Sequence, residues 1–312
     1  MQFIGHHQQW LFLKQIAHNH HMPHALLFSG EESLGKKKIA FQFVKMIFCQ
    51  HDNQEQRPCE QCTSCLLTEK AAHPDLIFIN SQPHKEIVIS QMRNLRSFLS
   101  LQPIMSAERA VIINNAHCLN EESQNCFLKI LEEPPKHTFF ILITAFPHLL
   151  LPTIRSRCAN VKFYPVGISQ LKQLPFFEKV SQDLPDIGQR GQPGIIFQIT
   201  ASADFKEQKI LLEKCAKNFL HNDRGARLLF IKEFFEKNKE NFTPELSLLL
   251  ETITDVLRSA LRVKVREEAL ENIAKIAQRI KKAIELTESY RQLLQTTNVN
   301  GRLLLENLAL NI

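Results

Sequence analysis

Short apolar runs alternate with segments of helical period through the first half of the chain. Ala25-Leu26-Leu27-Phe28 is an unbroken apolar run ending at Ser29-Gly30, which predicts a buried strand. From Lys36 the period changes. Ile39, Ala40, Phe43, Val44 and Ile47 share one face, so a helix is predicted to about Cys49. Further strands are predicted at Leu76–Ile79, Ala110–Ile113, Phe139–Thr144 and Asn160–Tyr164. One intervening helix carries Met92, Leu95, Phe98 and Leu99 behind a Ser90 cap. Another starts at Asn120 and ends before Pro134-Pro135. Strands alternating with helices imply an α/β domain, a mostly parallel sheet with helices on both faces.

Strand signals fade after about Val166. The stretch Leu171–Gln198 is broken by Pro175, Pro185 and Pro193, with Gly188, Gly191 and Gly194 between them. That suits a small helical module with tight turns. From about Phe205 the pattern is helical to the end, with Ile273, Ile276, Ile280 and Ile284 on one amphipathic face. An all-α bundle is expected there.

Composition narrows the class. The chain has 312 residues, 44% of them hydrophobic, enough apolar surface for about two domains or three small ones. A chain dominated by disorder is excluded. Nine glycines without a short repeat exclude a collagen-like or low-complexity chain. The longest apolar stretch, Phe139–Ile154, is interrupted by Thr144, Pro147 and His148 and falls short of the ~20 residues of a membrane span. The start, MQFIGHHQQWLFLKQ, lacks the basic end, apolar core and cleavage site of a secretory signal, so a cytoplasmic location is expected. The net charge of +6 is spread without a polybasic tail, which permits nucleic-acid contact without implying it.

Gly30-Glu31-Glu32-Ser33-Leu34-Gly35-Lys36 matches the phosphate-loop pattern G-x-x-x-x-G-K between a strand and a helix. Glycines let such a loop turn its N–H groups toward phosphate, and Lys36 would sit against the β/γ-phosphates. The next residue should be Ser or Thr to hold Mg²⁺, and here it is Lys37. The Ala110–Ile113 strand should end in a carboxylate and ends in Asn114-Asn115. The loop shape survives without its metal chemistry. It fits an empty loop kept for packing, or one that binds a nucleotide without hydrolysing it.

Four of the eight cysteines, Cys49, Cys59, Cys62 and Cys65, fall within seventeen residues. A chain this long without a secretory signal does not read as a disulfide scaffold, so the cluster points to metal. Four thiolates in a closed tetrahedron make a structural zinc site, non-catalytic because no position is open. An iron–sulfur cluster or unmetallated thiols also fit, although the residues after Cys65 depart from the ferredoxin run. His18, His20, His21 and His24 read as surface and strand-edge histidines. Arg155 and Arg157, after the fourth strand, fit either ordinary salt bridges or an arginine finger reaching another subunit's phosphate site.

Taken together, several segments resemble the delta-prime family of bacterial DNA polymerase III clamp-loader subunits, AAA+ proteins related to gamma/tau. They are His24-Ala25-Leu26-Leu27-Phe28-Ser29-Gly30, the four-cysteine insertion, His73-Pro74-Asp75 and Ala116. Asn125-Cys126-Phe127-Leu128-Lys129-Ile130-Leu131-Glu132-Glu133-Pro134-Pro135 and Ser156-Arg157-Cys158 are specific in combination. Asn298-Val299-Asn300 followed by Leu303–Leu308 resembles the end of a helical collar.

The resemblance implies an AAA+ nucleotide-binding-like domain over 1–165 with a zinc module at 49–65, a helical lid over 166–204 and a helical collar over 205–312. It implies a non-catalytic member of a hetero-oligomeric ring with gamma/tau and delta subunits, which loads the sliding clamp on primed DNA. Arg157 is then the finger acting in trans, Ser156 and Cys158 position its loop, and Thr144 matches a sensor position. Gly30, Gly35 and Lys36 form a degenerate phosphate loop, and ATP is not expected to be hydrolysed by this chain. Gly191-Gln192-Pro193-Gly194 resembles the turn before a second sensor helix, but Ile195-Ile196 stand where an arginine is often found. Two rivals are a gamma/tau-like ATPase and a zinc-containing DNA-binding scaffold.

Overall fold

The computed structural model describes residues 4–18, 22–81, 86–174, 176–184, 190–239, 242–267, 270–296 and 299–312, with backbone alone at 262–267, 270–276, 292 and 295–296. The chain forms two compact units. The first is Met1–Gln170 with Gln192–Gly194, and the second is Leu171–Gly191 with Ile195–Ile312.

The first unit is built on five parallel strands in the order β2-β3-β4-β1-β5. These are β1 (Ala25–Ser29), β2 (Leu76–Asn80), β3 (Arg109–Asn114), β4 (Thr138–Thr144) and β5 (Ala159–Lys162). All five predicted strands are present. The last stops at Lys162 rather than Tyr164, whose ring is largely exposed. Alternate side chains enter two cores. Leu26, Phe28, Ile112, Phe139 and Ile141 pack on one face, with Trp10 and Leu13 of α1 (His7–His18) and Ile39 and Phe43 of α2 (Lys36–Phe48). Ala25, Leu27, Val111, Phe140 and Leu142 pack on the other, with α4 (Ile89–Leu99) and α5 (Glu121–Glu132). Burial on both faces is why these strands read as continuous apolar runs.

One local expectation changes: Ser90 lies inside the first turn of α4, while Val88 is the cap residue. Gln91 Oε1 accepts the Val88 N–H at 3.1 Å, so a side chain one turn in closes the helix start. The cysteine insertion runs into α3 (Thr63–Glu69), with Cys65 in its first turn. Asn120 does cap α5, its Oδ1 accepting the Ser123 N–H at 2.9 Å.

After α6 (Pro152–Ser156) come two short helices, α7 (Ile168–Leu171) and α8 (Phe177–Asp183), and then α9 (Pro193–Ala201). The C-terminal bundle is α10 (Ala203–His221), α11 (Arg224–Lys237), α12 (Phe242–Glu267), α13 (Leu270–Thr296) and α14 (Gly301–Asn311). Its core includes Phe219, Leu246, Leu250, Ile253, Leu305 and Leu308, with Ile280 and Ile284 packed against it. Pro175, Pro185, Gly188 and Asn298, and the side chains of Ile273 and Ile276, lie outside the described residues. Among the described residues, no helix is long and apolar enough to cross a membrane.

One buried polar group organises the lower edge of the sheet. Asp75 is fully buried, and its carboxyl oxygens accept the N–H groups of Ile104, Met105 and Ser106 at 2.7, 2.7 and 2.8 Å. Those three bonds fix the loop that leads into β3. Asp75→Ala strands three donors and should lower the unfolding free energy by about 2–4 kcal/mol in urea titration. A loss below about 0.5 kcal/mol, the range of ordinary surface changes, would contradict this role.

Candidate functional site

The phosphate-type loop grows out of β1. Ser29 pairs with Thr144 on one side and Lys162 on the other. Gly30 follows at φ 145°, and a β-carbon there would lie 2.3 Å from the Phe163 carbonyl oxygen. The strand ends are tied at this point. Phe163 N–H donates to Ser29 O at 2.7 Å, and Gly30 N–H donates to Thr144 O at 3.3 Å. Gly35, at φ 91°, turns the chain into α2, and the space around it is open. Gly30 is therefore required by close approach and Gly35 by backbone conformation.

Lys36 is buried at the start of α2. Its ammonium donates to Gly30 O at 2.5 Å and to Glu31 O. Burial pulls its pKa down to about 8. The loop is also held from outside. His6 Nε2 donates to Leu34 O at 3.0 Å, and burial lowers the pKa of that ring. Gly194 N–H donates to Ser33 O at 2.8 Å, and Gln192 Nε2 donates to Glu31 Oε2 at 3.2 Å.

The positions that would serve a metal are engaged elsewhere. Lys37 Nζ stands 4.6 Å from the Phe78 ring centroid and 6.0 Å from that of Phe41, over aromatic faces. Asn114 Nδ2 donates to Asn80 Oδ1 at 2.8 Å. Thr144 is buried beside the loop root, accepting the Phe146 N–H at 3.0 Å, with His117 Nδ1 at 3.1 Å. The Lys36 ammonium is turned onto the loop's own carbonyls. Neither Lys37 nor Asn114 can supply a carboxylate or hydroxyl for Mg²⁺.

The four clustered cysteines converge. The Sγ atoms of Cys49, Cys59, Cys62 and Cys65 all lie within 4.8 Å of one another, and all four are free thiols. A tetrahedral zinc–thiolate site has S–S edges of about 3.8 Å for a Zn–S distance of about 2.3 Å, so this donor set fits zinc. Backbone N–H groups already point at the sulfurs. Cys59 N–H donates to Cys49 Sγ at 3.4 Å, Cys62 N–H to Cys59 Sγ at 3.3 Å and Cys65 N–H to Cys62 Sγ at 3.5 Å. N–H bonds from Gln61 and Cys62 pull the Cys59 thiol down to about 6. Burial pushes Cys65 up. His18 and His24 are not part of any metal-type cluster among the described residues, and His20 and His21 lie outside them.

Arg157 ends α6. The backbone there is anchored by Ile154, which is fully buried, and by buried Cys158. Arg157 Nη2 pairs with Glu132 Oε1 at 3.0 Å, and Nη1 donates to Thr153 O at 3.1 Å. Ser156 Oγ also donates to Thr153 O, at 3.0 Å. Arg155 is exposed. The two segments that looked specific in combination, at the ends of α5 and α6, thus share a core and are joined by an ion pair.

Residues 5–167, just over half of the chain, match the family described as DNA polymerase III, delta subunit. The DNA polymerase III delta-prime subunit of Bacillus subtilis is 30% identical over 242 residues, 76% of this chain and 72% of that protein. The chain belongs to the delta-prime family of DNA polymerase III clamp-loader subunits. The tau subunit of Bacillus subtilis is 34% identical over 140 residues, 45% of this chain and 24% of that protein. A gamma subunit-related protein of DNA polymerase III from Thermotoga maritima covers 97% of both chains at 18% identity, with a TM-score of 0.48.

Within this delta-prime chain, sequence reasoning passed over Asp75 as a chemical group and missed the Glu132–Arg157 pair. His73-Pro74-Asp75 stood out only as a family segment. A buried aspartate that ties down a loop looks like any other aspartate in a sequence. The partners Glu132 and Arg157 are 25 residues apart, and no periodicity links them.

The two loop glycines should respond differently to alanine. Gly30→Ala meets a backbone carbonyl and should cost about 2–4 kcal/mol of stability. Gly35→Ala meets only backbone strain and should cost about 1 kcal/mol. Chemical denaturation of the two variants checks the order, and equal small losses would contradict the close approach at Phe163.

Proposed function

We propose that this chain is a non-catalytic ring member that supplies Arg157 in trans to a neighbouring subunit's ATP site while the clamp is loaded on primed DNA. One observation carries the reading: the phosphate loop keeps its shape, but its two metal positions are Lys37, over Phe78, and Asn114, bonded to Asn80. ATP hydrolysis needs Mg²⁺ held beside the phosphates, so chemistry must come from a partner's site. Arg157, half-exposed on an anchored loop, has the chemistry a partner's γ-phosphate would need. Gamma/tau subunits would supply that site and delta would complete the ring, in the cytoplasmic replisome. DNA contact would run through the complex.

The remaining assignments follow the same reading. Residues 1–165 form the AAA+ body, 166–204 a lid and 205–312 a collar. Cys49, Cys59, Cys62 and Cys65 would hold zinc, which supplies cross-linking of the insertion rather than catalysis because four thiolates leave no open position.

ATP turnover by the reconstituted complex with clamp and primed DNA tests the finger. Arg157→Ala should lower it by about 3–10-fold, less than the 10³–10⁵-fold seen when a GTPase loses its only finger, because other sites in the ring keep theirs. Unchanged turnover with intact assembly would leave Arg157 a structural residue.

Metal content tests the cysteines. The purified chain should carry about one zinc per chain, and Cys59→Ser should lose it and expose the 49–65 segment to protease. Visible iron–sulfur absorbance, or no metal at all in the native protein, would overturn the assignment.

A further inference from the structure

We infer that Glu132 is a positioning residue for Arg157, setting the direction in which the guanidinium leaves its loop. This rests on the reading of Arg157 as a finger.

Both partners stand on rigid ground. Glu132 is the last residue of α5, next to buried Ile130 and Leu131. Arg157 closes α6, between buried Ile154 and Cys158. All four buried neighbours belong to the same core, so the two backbones are fixed relative to one another. What is free is the long arginine side chain, with several rotatable bonds and many rotamers.

The ion pair biases that freedom toward one direction. Nη2 meets Glu132 Oε1 at 3.0 Å and Nη1 meets Thr153 O at 3.1 Å. The guanidinium has five N–H donors. The contacts to Glu132 and Thr153 use two, so three remain for phosphate oxygens. The contact to Glu132 involves one carboxyl oxygen rather than a two-bond fork, so the plane is oriented without being saturated.

Exposure separates this from a structural role. The side chains of Arg157 and Glu132 are 37% and 46% exposed. Exposed pairs of this kind contribute little to folding. They are also too weak to lock the arginine away from a phosphate. A bias in rotamer is what such a pair can provide, and catalysis is sensitive to it because misplaced groups lose rate steeply.

The test uses the reconstituted complex with clamp and primed DNA, in which kcat and KM for ATP are read for Glu132→Ala, Glu132→Gln, Arg157→Ala and the double variant. Glu132→Ala should lower kcat by about 3–10-fold with KM within about twofold, the mark of lost orientation rather than lost binding. Glu132→Gln keeps an acceptor without the charge and should fall between wild type and alanine. The double variant should be no slower than Arg157→Ala alone, because the glutamate acts only through the arginine. Should Glu132→Ala hinder assembly, Glu132→Gln, alone and combined with Arg157→Ala, carries the same test. Unchanged or raised kcat for both Glu132 variants, with Arg157→Ala still slow, overturns the inference and leaves the finger standing. A further loss in the double variant overturns it as well. Unchanged turnover for Arg157→Ala overturns the finger reading itself, and the inference with it.

Discussion

The structure hangs on β1, a five-residue strand that must pair with β4 on one side and β5 on the other while both its faces are buried. A strand in that position has no free edge and no solvent face. Its exit is therefore set by its neighbours. The Phe163 carbonyl crowds Gly30, and the Thr144 carbonyl takes its N–H, so the chain leaves the sheet along one path. That path is set by the neighbouring strands and does not depend on what stands at Lys37 and Asn114. His6 and Gly194 hold it from outside, and Lys36 is satisfied by the loop's own carbonyls.

In the proposed function, the residues at the loop's metal positions and the place of Arg157 are two sides of one role. The same sheet that carries the phosphate-type loop also carries, beyond β4, the short helix α6 with Arg157 as its C-cap. Arg157 lies between buried Ile154 and Cys158 with its head half-exposed, which is what the proposed role in trans requires. The cysteine insertion is a separate problem in stability. Four convergent sulfurs could cross-link it through a bound metal, apart from the phosphate-type loop.

Much of the α/β body was legible because its strands are buried on both faces, which writes them as continuous apolar runs at Leu26–Phe28, Ala110–Ile113 and Phe139–Ile143. The cysteine spacing was legible for a similar reason, since metal sites demand close ligands. Ser90 misled because propensity favours serine as a cap, whereas Gln91 reached back to Val88 instead. The helix through Cys65 was hidden by its polar, cysteine-rich lead-in. Asp75 and the Glu132–Arg157 pair were invisible as interactions because their partners are set by the fold rather than by local pattern. The ends of α5 and α6 stood out as segments, and only the structure shows why they go together.

The central claim is that this chain gives an arginine and takes no part in hydrolysis at its own loop. It is tested most directly by the structure of the assembled complex, trapped with a non-hydrolysable ATP analogue, clamp and primed DNA. The account predicts Arg157 within hydrogen-bonding distance of the γ-phosphate on an adjacent subunit, with no Mg²⁺-nucleotide at Lys36. Arg157 turned away from every nucleotide, or a Mg²⁺-nucleotide seated in the Gly30–Lys36 loop, would contradict it.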